Sequence, residues 1–90
     1  MAWTIRIEPA VRKQIGKLDK TNAARIIAGL EQIAALDNPR QRGKALAGSL
    51  AGLWRWRFGD YRVIARIEDR IVVIVVIAVG HRREVYDRGL

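Results

Sequence analysis

The sequence predicts a small single-domain α+β fold of order β-α-α-β-β-β: an antiparallel sheet with two N-terminal helices packed on one face. Three observations lead there. Apolar residues recur at helical spacing from Pro9 to Leu36, then at a period of two from Leu53 onward. Short turn signals separate the later runs, as in consecutive hairpins. Ninety residues, half of them hydrophobic, suffice for one core and leave no room for a second.

The elements follow in order. "WTIRI" alternates from Trp3 to Ile7 and reads as the first strand. Pro9 suits the first turn of a helix, where its missing N–H costs nothing. Val11, Ile15 and Leu18 form the apolar stripe of that helix, with Arg12, Lys13 and Lys17 toward water. A break at Asp19–Thr21 supplies capping side chains for a second helix over Asn22–Leu36. Its inward face is Ala23, Ile26, Ile27, Leu30, Ile33 and Ala34, and "DNPR" ends it because Pro39 disfavours helical geometry at the residue before it. "QRGKALAGSLAG" reads as a Gly-rich connecting loop. Leu53–Phe58, Tyr61–Glu68 and Ile71–Val79 read as a three-stranded antiparallel meander, with Gly80 ending the last strand and "HRREVYDRGL" as a short tail.

Composition narrows the function. Seventeen Lys+Arg against nine Asp+Glu give a net charge of +8, and thirteen of the seventeen cations are arginine. Arginine's planar fork matches phosphate better than a lysine does, so a polyanionic partner is expected, nucleic acid first. The absence of cysteine rules out disulfides, thiolate metal sites and a cysteine nucleophile, and suits a reducing cytoplasm. The start of the chain carries no charged leader followed by an apolar run. The longest apolar run, Ile71–Val79, falls far short of the roughly 20 residues of a membrane helix and is rich in β-branched side chains. A soluble protein with no membrane partner is expected.

"LWRWRFGDYRV" carries the functional signal. With Gly59–Asp60 as a two-residue turn, Phe58 faces Tyr61, Arg57 faces Arg62, Trp56 faces Val63 and Arg55 faces Ile64. Trp54, Trp56, Val63 and Ala65 then lie on one side, available to the helices. Arg55, Arg57 and Arg62 lie together on the other, with Arg66 further along. Like charges opposed across a hairpin cost up to about 1 kcal/mol, and a solvated strand has no need of them. An anion bound between the guanidinium groups accounts for the cluster better than a solvated face relieved by Glu68 or Asp69.

The tail adds His81, Arg82, Arg83 and Tyr86 beyond Gly80. A tyrosine there can stack on an exposed base, and histidine is the side-chain type that exchanges a proton near neutral pH. Conventional catalytic sets are missing: the chain has one histidine and one serine (Ser49), no metal-ligand cluster and no P-loop pattern. An enzyme built this way would rely on arginine, one histidine and one tyrosine. Cleavage of RNA tolerates that economy, because the substrate brings its own nucleophile, the 2′-OH.

The hairpin, as G-L-W-x-x-R-x-G-D-Y-R, together with the ending V-G-H-R-x-x-V-Y, resembles the RelE branch of the RelE/ParE toxin superfamily. Those proteins are the toxic halves of bacterial toxin–antitoxin pairs, and the resemblance covers nearly the whole chain. It implies a ribosome-dependent endoribonuclease that cuts mRNA in the A site of the 30S subunit, beside rRNA, without metal or cofactor. It also implies a cognate RelB-like antitoxin and a cytoplasmic address. Position by position, Arg55 and Arg57 would orient the 2′-OH or hold the phosphate, and Arg62 would bind the scissile phosphate. Arg82 would stabilise the transition state or the leaving 5′-oxygen, and Tyr86 would stack on the substrate base. Some members carry lysine where this chain has Arg55 and Arg57. Arginine stays charged, which leaves His81 as the titratable candidate for a base. The sequence admits two other readings: a ParE-like toxin that inhibits DNA gyrase, and a nucleic-acid-binding module without catalysis.

Overall fold

The computed structural model describes residues 2–81 of the chain. Strand β1 (Thr4–Ile7) leads into helices α1 (Pro9–Gly16) and α2 (Lys20–Ala34), followed by strands β2 (Lys44–Ala45), β3 (Trp54–Phe58), β4 (Tyr61–Glu68) and β5 (Val73–His81). Pro9 opens α1 as expected. Helix α2 starts at Lys20, before the expected Asn22, because Asp19 caps it: its carboxylate accepts the Asn22 backbone N–H at 3.2 Å and the Asn22 side-chain amide at 2.7 Å. At the other end the Trp3 backbone N–H donates to the Ala34 carbonyl at 2.7 Å, which ties β1 to the end of α2.

The five strands lie in the order β1-β5-β4-β3-β2. The expected antiparallel meander is β3-β4-β5. Two features depart from expectation. Strand β1 pairs parallel with β5, Thr4 opposite Val73 through Ile7 opposite Val76, so the sheet is mixed. Strand β2 forms inside the segment read as a loop, with Lys44 opposite Arg55 and Ala45 opposite Trp54. Periodicity marks a segment as a strand but not which strand it lies beside, and two residues are too few to show a period.

Strand β5 is also displaced from Ile71–Val79. Ile71, 63% exposed, belongs to the β4–β5 turn, whose Val72 adopts a positive φ of 57°. At the far end the strand runs through Gly80 to His81, because Arg62 and Tyr61 are still there to pair with it. Inside it the register shifts: Ile64 opposes Ala78 but Ala65 opposes Val76, which leaves Ile77 as an extra residue. That bulge puts Val76 and Val79, an odd number of residues apart, on the same side of the sheet, where both are buried.

Both helices pack on one face, as expected, although Ile27, expected on the inward face of α2, is 39% exposed. Val11 and Ile15 of α1 and Ile26, Leu30 and Ile33 of α2 are buried against Trp56, Phe58, Val63, Ala65 and Ile74. The approach of α2 is close: a Cβ on Gly29 would lie 2.3 Å from the Phe58 ring. The opposite face carries a smaller cluster, Ile64 and Ala78 under Leu46, Leu53 and Ile77. The segment between β2 and β3 therefore shields part of the face that carries the arginines.

Candidate functional site

The hairpin has the expected register: Phe58 opposite Tyr61, Arg57 opposite Arg62, Trp56 opposite Val63 and Arg55 opposite Ile64. Trp56, Val63 and Ala65 are buried under the helices, so the alternating residues Arg55, Arg57 and Arg62 fall on the other face, followed by Arg66. Arg57 is exposed, whereas Arg55 and Arg62 are half-buried and their Nε atoms are fully covered. The small apolar cluster around Ile64 lies on the same face. A guanidinium keeps its charge in such surroundings, and its attraction for an anion grows as water is excluded.

Two carboxylates near the sheet end have partners of their own among the described residues. Glu68 accepts from Arg66. Asp69 accepts a two-pronged bond from Arg40 at 2.8 and 2.9 Å, and that bond holds its carboxyl below the usual value. Gly80 sits opposite Arg62 on β5 and brings no side chain to the space beside it.

The bulge at Ile77 decides this neighbour. With unbroken alternation from Val76, His81 would share the arginine face. With one extra residue the parity inverts, and Gly80 lies there instead. His81 opposes Tyr61 on the helix side, its ring edge-to-face with the tyrosine at a centroid distance of 5.8 Å and an angle of 84°. Beside the pair is a cleft of about 210 Å³ lined also by Gln14, Lys17 and Leu18. The three arginines are thus brought together, and His81 is not among them. Arg82 and Tyr86 lie outside the described residues.

A larger cleft, about 260 Å³, opens at the β2 end of the sheet. Among the described residues that line it, four are cations (Arg42, Lys44, Arg55 and Arg57), none is acidic, and Ile33, Trp56 and Phe58 are apolar. Arg42 and Lys44 were missed in the sequence because they sit in a Gly-rich stretch without a period. The cue was the pair of tryptophans on β3, whose indole N–H groups need acceptors. Among the described residues, no group of three or more His, Cys, Asp or Glu side chains converges to hold a metal ion, and no helix is long and apolar enough to cross a membrane.

The family described as the ParE toxin of the type II toxin–antitoxin system parDE matches this chain over residues 5–86. The chain belongs to the RelE/ParE toxin superfamily. Toxin RelG of Mycobacterium tuberculosis is 34% identical over 91 residues, covering 98% of this chain and all of its own length. A chain of the toxin–antitoxin complex RelBE2 from the same organism superposes with a TM-score of 0.70 at 33% identity, over 91% of this chain and 93% of its own. A chain of the archaeal RelE–RelB complex from Pyrococcus horikoshii reaches 0.71 at 27% identity, over 91% and 97%. As a RelE/ParE toxin the chain is the toxin of a type II toxin–antitoxin pair. In this superfamily member, three arginines on a rigid hairpin face and a second pair of cations at the sheet end form the basic surface.

Proposed function

We propose that this toxin is a ribosome-dependent endoribonuclease that cuts mRNA in the ribosomal A site and so stops translation. The observation that carries the reading is the gathering of Arg55, Arg57 and Arg62 on one rigid face, with a glycine beside Arg62. In the reaction the 2′-oxygen of one nucleotide attacks the adjoining phosphorus, and the bond to the 5′-oxygen of the next nucleotide breaks. The products are a 2′,3′-cyclic phosphate and a 5′-hydroxyl. Arg62 holds the phosphate whose charge grows during attack, while Arg55 and Arg57 orient the 2′-OH and share that charge. Arginines do not take up the 2′-OH proton, so this face contributes orientation and charge stabilisation rather than a base. By resemblance, Arg82 acts on the transition state or the leaving oxygen and Tyr86 stacks on the base. His81, packed on Tyr61, stands apart from that set. A RelB-like antitoxin completes the reading, since related chains occur in toxin–antitoxin complexes.

The family description names ParE, and a ParE-like inhibitor of gyrase is the second reading that the resemblance allows. One experiment separates them. The purified toxin is added to translating ribosomes, to free mRNA, and to gyrase with relaxed plasmid. Cleavage within codons on ribosomes alone, lost in Arg62→Ala and Tyr86→Ala, is the expected result. Blocked supercoiling with intact mRNA would replace this reading with the second.

A further inference from the structure

The segment from Asn38 to Lys44 is fastened more firmly than a surface connection requires. The Asn38 side chain accepts the Arg40 backbone N–H at 2.9 Å, and Arg40 grips Asp69 across the sheet end. Trp56 donates its indole N–H to the Pro39 carbonyl at 3.2 Å, and Trp54 donates to the Arg42 carbonyl at 2.7 Å. Gly43 lies so close to β3 that a Cβ there would sit 2.2 Å from the Arg55 carbonyl oxygen, and its φ of +88° is one that only glycine adopts freely. The product of all this fastening is one exposed lysine held directly opposite Arg55. Covering a sheet edge would account for the pairing. It would not account for a cation placed at the end of a row of arginines, in a cleft that four cations line.

We infer that Lys44 is a substrate-positioning residue that holds a backbone phosphate of single-stranded RNA flanking the one held by Arg62. The inference rests on the nuclease reading and deepens it. Residues opposed on adjacent strands lie about 5 Å apart and alternate residues on one strand about 7 Å apart. Arg62, Arg57, Arg55 and Lys44 therefore form a stepped line across β4, β3 and β2, along which an extended polyanion is held at more than one phosphate. Lys44 fixes the strand by charge, while the chemistry stays at Arg62.

The test has two readouts. Binding of a 2′-O-methylated RNA hexanucleotide, which lacks the nucleophile, is followed by fluorescence anisotropy over a salt series for wild type, Lys44→Met, Lys44→Arg and Arg62→Ala. Single-turnover cleavage of mRNA on ribosomes is followed for the same proteins. Lys44→Met should weaken oligonucleotide binding about tenfold and lower the salt slope by about 0.7, the value for one phosphate contact on a single strand. Lys44→Arg should restore both. On ribosomes Lys44→Met should raise the half-saturating toxin concentration and leave the saturated rate unchanged, whereas Arg62→Ala should lower the saturated rate. The melting temperature of Lys44→Met should match wild type. Oligonucleotide binding reads the inference and ribosomal cleavage reads the function. Loss of binding in Lys44→Met supports the inference even where no cleavage occurs. Wild-type affinity and slope in Lys44→Met overturn it even where cleavage is intact.

Discussion

Arg62 and Val72 both sit where a stability argument alone would not put them. Arg62 faces Arg57 across the hairpin, and like charges so opposed repel each other. Arg62→Ala should therefore leave unfolding free energy within about 0.5 kcal/mol of wild type or raise it. Cleavage on ribosomes should fall by about 10²–10³-fold, the usual effect of removing one preorganised donor from developing charge. Chemical denaturation and single-turnover kinetics on the same preparation check both halves. Val72 is different in kind. A β-branched residue at a φ of 57° is strained by about 1–3 kcal/mol. Glycine relieves that strain but loses about 0.5–1 kcal/mol of chain entropy and some packing. Val72→Gly should stabilise the domain by about 1 kcal/mol, seen as a higher denaturation midpoint with an unchanged slope.

At the scale of elements, the contact of α2 with β3 and the tie between the α2–β2 connection and the β4–β5 turn hold the hairpin in place. Gly29 lets α2 rest on the Phe58 ring. Alanine there would gain about 1 kcal/mol in helix propensity, but its Cβ would invade a packed ring, at about 1–3 kcal/mol. Gly29→Ala should therefore destabilise, and the paired change Gly29→Ala with Phe58→Leu should recover part of the loss; stabilisation by the single change would mean that the ring moves aside freely. The Arg40–Asp69 bond is exposed, so it is worth about 0.5 kcal/mol. Arg40 lowers the Asp69 carboxyl below its ordinary 3.8. The bond's contribution is thus present above that value and lost as the pH falls through the lowered one. The melting-temperature difference between wild type and Asp69→Asn should persist at neutral pH and close in acid, at a pH below the ordinary 3.8.

For the whole molecule, a net charge of +8 predicts strong salt dependence of any association with RNA or ribosomes, in rate as well as affinity. The same charge suits an antitoxin with an acidic segment. Expression from the native operon should yield the toxin bound to such a partner, and release of the partner by denaturation should restore cleavage on ribosomes. A toxin recovered alone at high level, from cells that grow normally, would count against a toxin of this kind.

Much of the fold was legible in residue order because the determining interactions are local. Pro9 and Asp19 set the helix starts, and Gly59–Asp60 set the hairpin register, which in turn placed Arg55, Arg57 and Arg62 on one face. The family resemblance was equally visible in the hairpin and the ending. Non-local pairing was not. The parallel seat of β1 beside β5 and the short pairing of Lys44 with Arg55 depend on which segments meet across the sheet, and periodicity carries no record of that. The bulge at Ile77 was invisible as well, because a run of apolar residues buried on both faces looks the same in either parity. That single extra residue put Gly80 beside Arg62 and turned His81 toward α1. Local sequence determined which arginines share a face; only the tertiary structure decided what stands next to them, since a strand's parity is set by its partners.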